Sequence, residues 1–283
     1  MNNQNISLCS SIMRAPQVFA QYEGVEGLAR DLTIWMAWNR APEARLNIRQ
    51  FAEMFGYSHA YLFKKVNDAQ KAWLKLKQFG PEVKDVIGFT LAKMFTEALI
   101  FPKAAPFVTK EGDQIQEYEG MRILRGKAYT QKSARGTSYG FYPNPDFLKN
   151  CEGGRYQAFQ LNEYQELKSP TAKAWSSGRK MFLHLAWKRG VWDAAKDPEH
   201  PRHQVAQYDE LLSIAGFVRR TGNAEARQAF ELRQLLEDLS CFPSIQMTAE
   251  VIHNHDTGKY EVRFTRLTEV EVKKRKKAVN KGK

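Results

Sequence analysis

Between residues 47 and 73 the chain reads NIRQFAEMFGYSHAYLFKKVNDAQKAW, and Phe55-Gly56-Tyr57-Ser58 leaves no room for a strand between its two amphipathic runs. Asn47 can accept from the free amides of a helix start while Gln50 reaches back, the pattern of a capping box. That helix runs through Phe51, Ala52 and Met54 and stops at Gly56, the residue that best tolerates the left-handed turn ending a helix. Ser58 can cap the next run, where Leu62, Val66, Ala69 and Trp73 share one face. Ala52, Gly56 and Leu62 fall where a helix-turn-helix needs a small residue, a turn and an apolar seat. A plain helical hairpin satisfies the same pattern. The opposite face favours the helix-turn-helix: Lys64, Asn67 and Lys71 lie along it, with Ser58, His59, Tyr61 and Lys65 near the start. Such a helix puts its first residues on base edges and its cations on phosphates.

Other segments place this stretch in a larger plan. Residues 28–38, LARDLTIWMAW, form a preceding helix; residues 1–24 have no periodicity and are expected to be a flexible arm. VIGFTLAKMFTEALI, from residue 86, fits helix or strand. Residues 118–130 and 137–142 flank the loop QKSARG as a β-hairpin. PNPDFLKNCEGGR, residues 143–155, with two prolines and two glycines, looks like a linker. A similar order then begins again. Ser169-Pro170 starts a long helix carrying Trp175, Phe182, Leu185 and Ala186 and ending near Gly190. After a polar loop over residues 193–203, QYDELLSIAGF is a short helix closed by Gly216. The turn VRRTGN leads to AEARQAFELRQLLEDLS, residues 224–240, whose apolar side is Ala226, Phe230 and Leu239 with Leu235 or Leu236. QMTAEVIHNHDTGKYEVRFTRL turns at Asp256-Thr257-Gly258, the strongest hairpin signal of the chain.

Helix, short helix, turn, longer helix and hairpin, stated twice, predict a helix-rich α+β fold of two tandem winged-helix domains, residues 25–150 and 156–267. In the second domain the candidate DNA contacts are Arg219, Arg220, Thr221 and Asn223 at the helix entrance and Arg227, Gln228 and Gln234 along it. Arg pairs bidentately with guanine, and Asn or Gln with adenine. Glu231, Glu237 and Asp238 repel phosphate, so only the first half of this helix is expected in a groove.

The composition, 43% apolar and 26% charged, is that of a folded chain and excludes wholesale disorder. A net charge of +12 points to a polyanionic partner. Lys273, Lys274, Arg275, Lys276 and Lys277 head a basic tail within residues 268–283, a candidate for nonspecific DNA contact; without the seven charges from residue 273 onward the body still carries +5. Three scattered cysteines argue against a disulfide framework and fit a reducing cytoplasm. No apolar run reaches the roughly 18 residues of a membrane span, and MNNQNISLCSSIM lacks the flank and core of a signal peptide, so no membrane partner is expected.

Enzyme signatures are weak, and no catalytic residue, metal or cofactor is expected. His253-Asn254-His255 with Tyr260 hints at a metal-dependent DNA nickase acting through a covalent tyrosine. Such a site wants a hydrophobic anchor between its histidines, where this chain has Asn254. His200 and His203 in EHPRH lack the surrounding ligands of a metal site, and GxxxxGK[ST] is absent.

Residues 156–175, YQAFQLNEYQELKSPTAKAW, followed by YDELLSIAG, ARQAFELRQLLEDL and the hairpin at 246–266, resemble the plasmid replication initiator (Rep) proteins with tandem winged-helix domains. The resemblance covers residues 28–266. It departs where the family has an Arg-Leu-Tyr type sequence and this chain has Ala174-Trp175-Ser176. The resemblance implies a protein of the bacterial cytoplasm, associated with nucleoid or plasmid, that binds directly repeated duplex sites at an origin, aids melting, and recruits the host's initiator and helicase. It also implies that the second domain does most of the reading, and that the first assists or forms a homodimer. Arg219, Arg220, Asn223, Arg227 and Gln228 would then be readers, and Ser58 to Lys65 accessory contacts. A transcriptional repressor or phage regulator on the same architecture is the alternative.

Overall fold

The computed structural model describes residues 5–80, 82–102, 107–108, 114–115, 118–125, 129–133, 136–152, 156–167, 172–194, 203–255, 257–268 and 271. It is helix-rich α+β with small antiparallel sheets. The chain divides into two compact units, an N-terminal one of residues 6–12 and 18–156 and a C-terminal one of residues 1–5, 13–17 and 157–283. Among the described residues no helix is long and apolar enough to cross a membrane.

Of the stretch expected to be a flexible arm, residues 1–4 lie outside the described residues and the rest is folded. It forms β1 (Asn5–Cys9), α1 (Ser10–Arg14) and a 3-10 turn (Pro16–Gln21), and buries Ile6, Leu8, Ile12, Met13, Phe19 and Tyr22. Its apolar residues are irregularly spaced because the path changes element every few residues, so no single period marks them.

In the N-terminal unit α2 (Glu26–Asn39) is buried along most of its length, with Trp35 edge-on to Phe141 at 5.8 Å. The chain crosses directly from β2 (Ala44–Asn47) into α3 (Ile48–Phe55). Asn47 caps α3 by accepting from the Gln50 amide, and Gly56 ends it at φ 76°. The single long helix expected after Ser58 is two short ones, α4 (His59–Leu62) and α5 (Asp68–Leu76). Between them the backbone is extended. The Val66 amide donates to the Lys84 carbonyl and the Val86 amide to that of Lys64, at 3.2 and 3.0 Å. Asn67 then opens α5 with a full capping box to Gln70, so local capping and a tertiary ladder together override the helical period.

The ambiguous segment at residue 86 is α6 (Val86–Thr96), capped by Asp85 and buried on nearly every side. It leads into β3 (Leu99–Pro102), β4 (Phe107–Val108), β5 (Gln114–Ile115), β6 (Tyr118–Met121), β7 (Tyr129–Ser133) and β8 (Gly136–Phe141). Here the expected hairpin changes partners. β6 pairs with β3 and β4 with β5, while β7 pairs with β8, which itself joins β2 to give the order β2-β8-β7. Within the expected linker, whose residues 153–155 lie outside the described residues, the chain forms α7 (Pro145–Glu152), with Phe147 and Cys151 fully buried. Pro145 stands at a helix start, where its missing amide costs nothing.

The C-terminal unit comprises β9 (Tyr156–Gln160), α8 (Leu161–Glu166), α9 (Ala172–Ala194), β10 (His203–Gln207), α10 (Tyr208–Ala215), α11 (Asn223–Leu239), β11 (Met247–Asn254) and β12 (Lys259–Arg266). The Ser169-Pro170 helix start lies outside the described residues. α9 runs past Gly190 and packs against α10 and α11. Phe182 meets Phe159, Tyr164 and Phe242 edge-on, forming the aromatic centre of the core. The buried Arg179 lays its guanidinium 4.6 Å from the Tyr164 ring centre. β10 pairs with β12 and β12 with β11, giving the order β10-β12-β11, with Val262 and Phe264 facing inward.

Candidate nucleic-acid interface

Gly216 makes the turn between α10 and α11. It sits at φ 76°, and the Phe217 amide returns to the Leu212 carbonyl at 2.9 Å, satisfying a carbonyl that the helix end leaves open. From Val218 to Thr221 the chain is exposed. Gly222, at φ 64° and ψ −143°, then redirects it into α11, a geometry open essentially to glycine alone.

α11 is rotated from the sequence expectation. Its buried stripe is Ala229, Leu232, Leu236 and Leu239, whereas Phe230 is 61% exposed and Ala226 faces out. Gln228, expected among the readers, is buried: its Oε1 accepts from the Arg220 amide at 2.9 Å and its Nε2 donates to the Val218 carbonyl at 2.7 Å. It braces the turn instead of facing a ligand. A polar residue with both ends of its amide engaged by backbone fills a stripe position that an apolar count assigns elsewhere.

The arginines stay at the surface and are held by carboxylates. Arg219 reaches Asp209 at 2.6 Å and Glu225 at 3.7 Å; Arg220 reaches Glu231 at 3.7 Å, and Arg227 the same carboxylate at 3.3 Å. Gln234 donates to Glu237 at 3.1 Å. Thr221 is exposed, and Asn223 begins α11. The result is one exposed cluster of Arg219, Arg220, Thr221 and Arg227 at the helix entrance, with acidic residues increasing along the helix. The hairpin adds Lys259, Arg263 and Arg266, all exposed and absent from the sequence-based candidates. The alternation of buried Val262 and Phe264 with Arg263 is the period-two signal that would have found them.

At the hairpin's end His253 lies opposite Tyr260 in register, its ring 4.9 Å from that of Tyr260 and 5.0 Å from that of His255. Among the described residues no group of three or more His, Cys, Asp or Glu is placed to hold a metal ion. His200 and the tail from Lys273 to Lys277 lie outside the described residues.

The N-terminal candidates do not share one helix face. Ser58 spends its Oγ as a cap, accepting from the Tyr61 amide at 3.1 Å. Tyr61 stacks on Tyr57 and Tyr57 on Phe51, at 5.7 and 5.6 Å with nearly parallel rings, and the Tyr57 hydroxyl donates to Asp31 at 2.8 Å. Burial, with Glu26 and Asp31 nearby, raises the Tyr61 phenol above its ordinary pKa. His59 is exposed against Phe63, while Lys64 and Lys65 sit on the extended link after α4, where the Lys65 backbone pairs antiparallel with that of Asp85.

Compared with known proteins, the chain matches no family model, and no curated protein sequence matches it significantly.

Proposed function

We propose that the chain is a sequence-specific binder of double-stranded DNA built on two winged-helix domains, and that it acts as a plasmid replication initiator. The carrying observation is the connectivity of the C-terminal unit. Helix α9, strand β10, helix α10, helix α11 and hairpin β11-β12, with β12 central in the sheet, follow the order of a winged helix. In the N-terminal unit, α2, β2, α3 and the order β2-β8-β7 repeat the frame.

The chemistry supports α11 as the reading helix, entering a major groove by its first turns. Arg219, Arg220 and Arg227 are held in place by carboxylates through surface ion pairs, each worth about 0–1 kcal/mol, so a base or phosphate can displace the acidic partner at little cost. Glu231 and Glu237 keep the far half of α11 off the phosphates, and Lys259, Arg263 and Arg266 of the hairpin reach a neighbouring backbone.

Selection of bound fragments from random duplex DNA tests the proposal. Direct repeats are expected; a single palindrome would favour the repressor reading, and no enrichment would overturn sequence-specific binding. Arg227→Ala should cost about 1–3 kcal/mol on the selected site and relax preference at one position. An equal loss on random duplex would reduce Arg227 to a phosphate contact.

A further inference from the structure

In the N-terminal unit, α5 and the loop after it enclose a groove of about 650 Å³ that the duplex-reading model does not use. The extended link ending at Val66 forms one wall, tied by backbone hydrogen bonds to residues 84–86, and α5 forms the other. The turn after α5 closes the end, with the Phe79 amide returning to the Leu74 carbonyl at 2.9 Å. The lining is Val66, Leu74, Phe79 and Val83, rimmed by Lys65, Lys71, Lys75 and Lys84. Only Lys71 of these cations is paired with a carboxylate among the described residues, with Asp68 at 2.9 Å.

We propose that this groove docks an acidic, amphipathic segment of a partner protein. Its apolar side chains fill the floor between Val66, Leu74 and Val83, and its carboxylates meet Lys65, Lys75 and Lys84. Charge complementarity selects an anion, and the apolar floor selects one with side chains to bury. Two features favour a protein over a nucleic acid strand. The aromatic ring in the lining, Phe79, is already stacked on Trp73 at 6.1 Å and edge-on to Phe95 at 6.5 Å, so it is engaged where a base would need a platform. Every cation on the rim is lysine, a mobile point charge suited to carboxylates, whereas the α11 entrance carries arginines with the planar fork that reads bases. The groove gives the protein a second surface, separate in chemistry from the duplex-reading one.

The test is fluorescence polarisation on the full chain. The probe is a fluorescein-labelled acidic peptide of about twelve residues with Leu or Phe at helical spacing between glutamates. A control peptide has those apolar residues replaced by Ser at equal charge; the competitor is an oligo-dT of similar length. The amphipathic probe should bind at least about tenfold tighter than the Ser control. The exposed double variant Lys75→Glu with Lys84→Glu should weaken it about tenfold while leaving duplex DNA binding within about threefold. If charge reversal lowers the melting temperature, Lys75→Gln with Lys84→Gln gives the same reading in milder form. Equal binding of the two peptides, an unaffected variant, or tighter binding of oligo-dT at the same lysines would each overturn the proposal. Failure of the wild-type chain to select any duplex would overturn the proposed function and leave this one standing.

Discussion

The two units contain the same short module and do different things after it. In each, a strand passes without a loop into an eight-residue helix, α3 or α10, which a glycine at φ 76° terminates. After Gly216 a braced turn launches the 17-residue α11, whose outer face is open. After Gly56 the chain stacks Tyr57 and Tyr61, runs four residues of α4, and leaves the helix at Phe63. The next long helix before the sheet, α6, is buried almost all round. The module sets a turn and a direction; whether a long helix with an open face follows depends on what pairs with the next ten residues. In the C-terminal unit that is the Gln228 side chain, and in the N-terminal unit a backbone ladder to residues 84–86.

The largest effect should come from the buried stripe of α11. Leu232→Ala should cost about 2–5 kcal/mol, because it empties a fully buried site. Phe230→Ala, at an exposed site, should stay within about 0.5 kcal/mol. Urea denaturation of the two variants measures both, and a larger loss from Phe230→Ala would return α11 to the rotation read from sequence.

Acid should separate the units next. His184, buried in α9, donates its Nδ1 proton to the Arg14 carbonyl at 2.7 Å, and burial pulls its pKa from 6.5 to about 4. The native state therefore keeps this ring neutral while the unfolded chain protonates it. His184's contribution is complete above pH 6.5 and is lost as pH falls toward 4, on the order of 3 kcal/mol. The lone histidine of the N-terminal unit, His59, is exposed. Hydrogen exchange should show α9 amides losing protection through this window. His184→Gln should flatten the stability profile there, and an unchanged slope would remove His184 from the acid response.

Much of the frame was legible in the sequence. Gly56, Gly216 and Gly258 act through their own backbone and Asn47 through a side chain that caps an amide three residues away, so local chemistry identifies them. What escaped depends on distant partners. Gln228 reads as a surface residue until Val218 and Arg220 close on its amide. Pro145 reads as a loop residue because α7 is stabilised by burial of Phe147 and Cys151, which no local pattern announces. The strands β6 and β7 read as one because their separate partners, β3 and β8, lie on either side of them in sequence. At the candidate site Arg219, Arg220 and Arg227 were visible by residue type, but of the carboxylates that hold them only Glu231 was singled out, as repulsion, and Asp209 and Glu225 were not.

The shared turn can itself be weighed. Gly56→Ala and Gly216→Ala should each cost about 1–2 kcal/mol, since both place a side chain in the left-handed region. At Gly216 a Cβ would meet the Nζ and Cε of Lys180, the far end of a flexible chain, so steric crowding adds little there. Similar losses in thermal unfolding would establish the turns as equivalent; a loss at Gly216 several times that at Gly56 would make only the second turn critical.

The smallest effect isolates why the first unit lacks the long helix. Asn67→Ala removes the side-chain half of the capping box, the bond from the Gln70 amide to Asn67 Oδ1 at 2.8 Å, keeps the backbone half, from the residue 67 amide to Gln70 Oε1 at 3.0 Å, and should cost about 1 kcal/mol. Two causes could interrupt the run at Phe63: this cap, which starts a new helix, or the bonds from Val66 to Lys84 and from Val86 to Lys64, which hold the link extended. The ladder involves two backbone hydrogen bonds and the burial of Val66, and it survives the substitution. Backbone chemical shifts of Lys65 and Val66 should therefore remain extended in Asn67→Ala, with only α5 fraying at its start. Helical shifts running from His59 through Leu76 would instead show that the cap alone divides the helix, and that the two units differ by a single residue at this point.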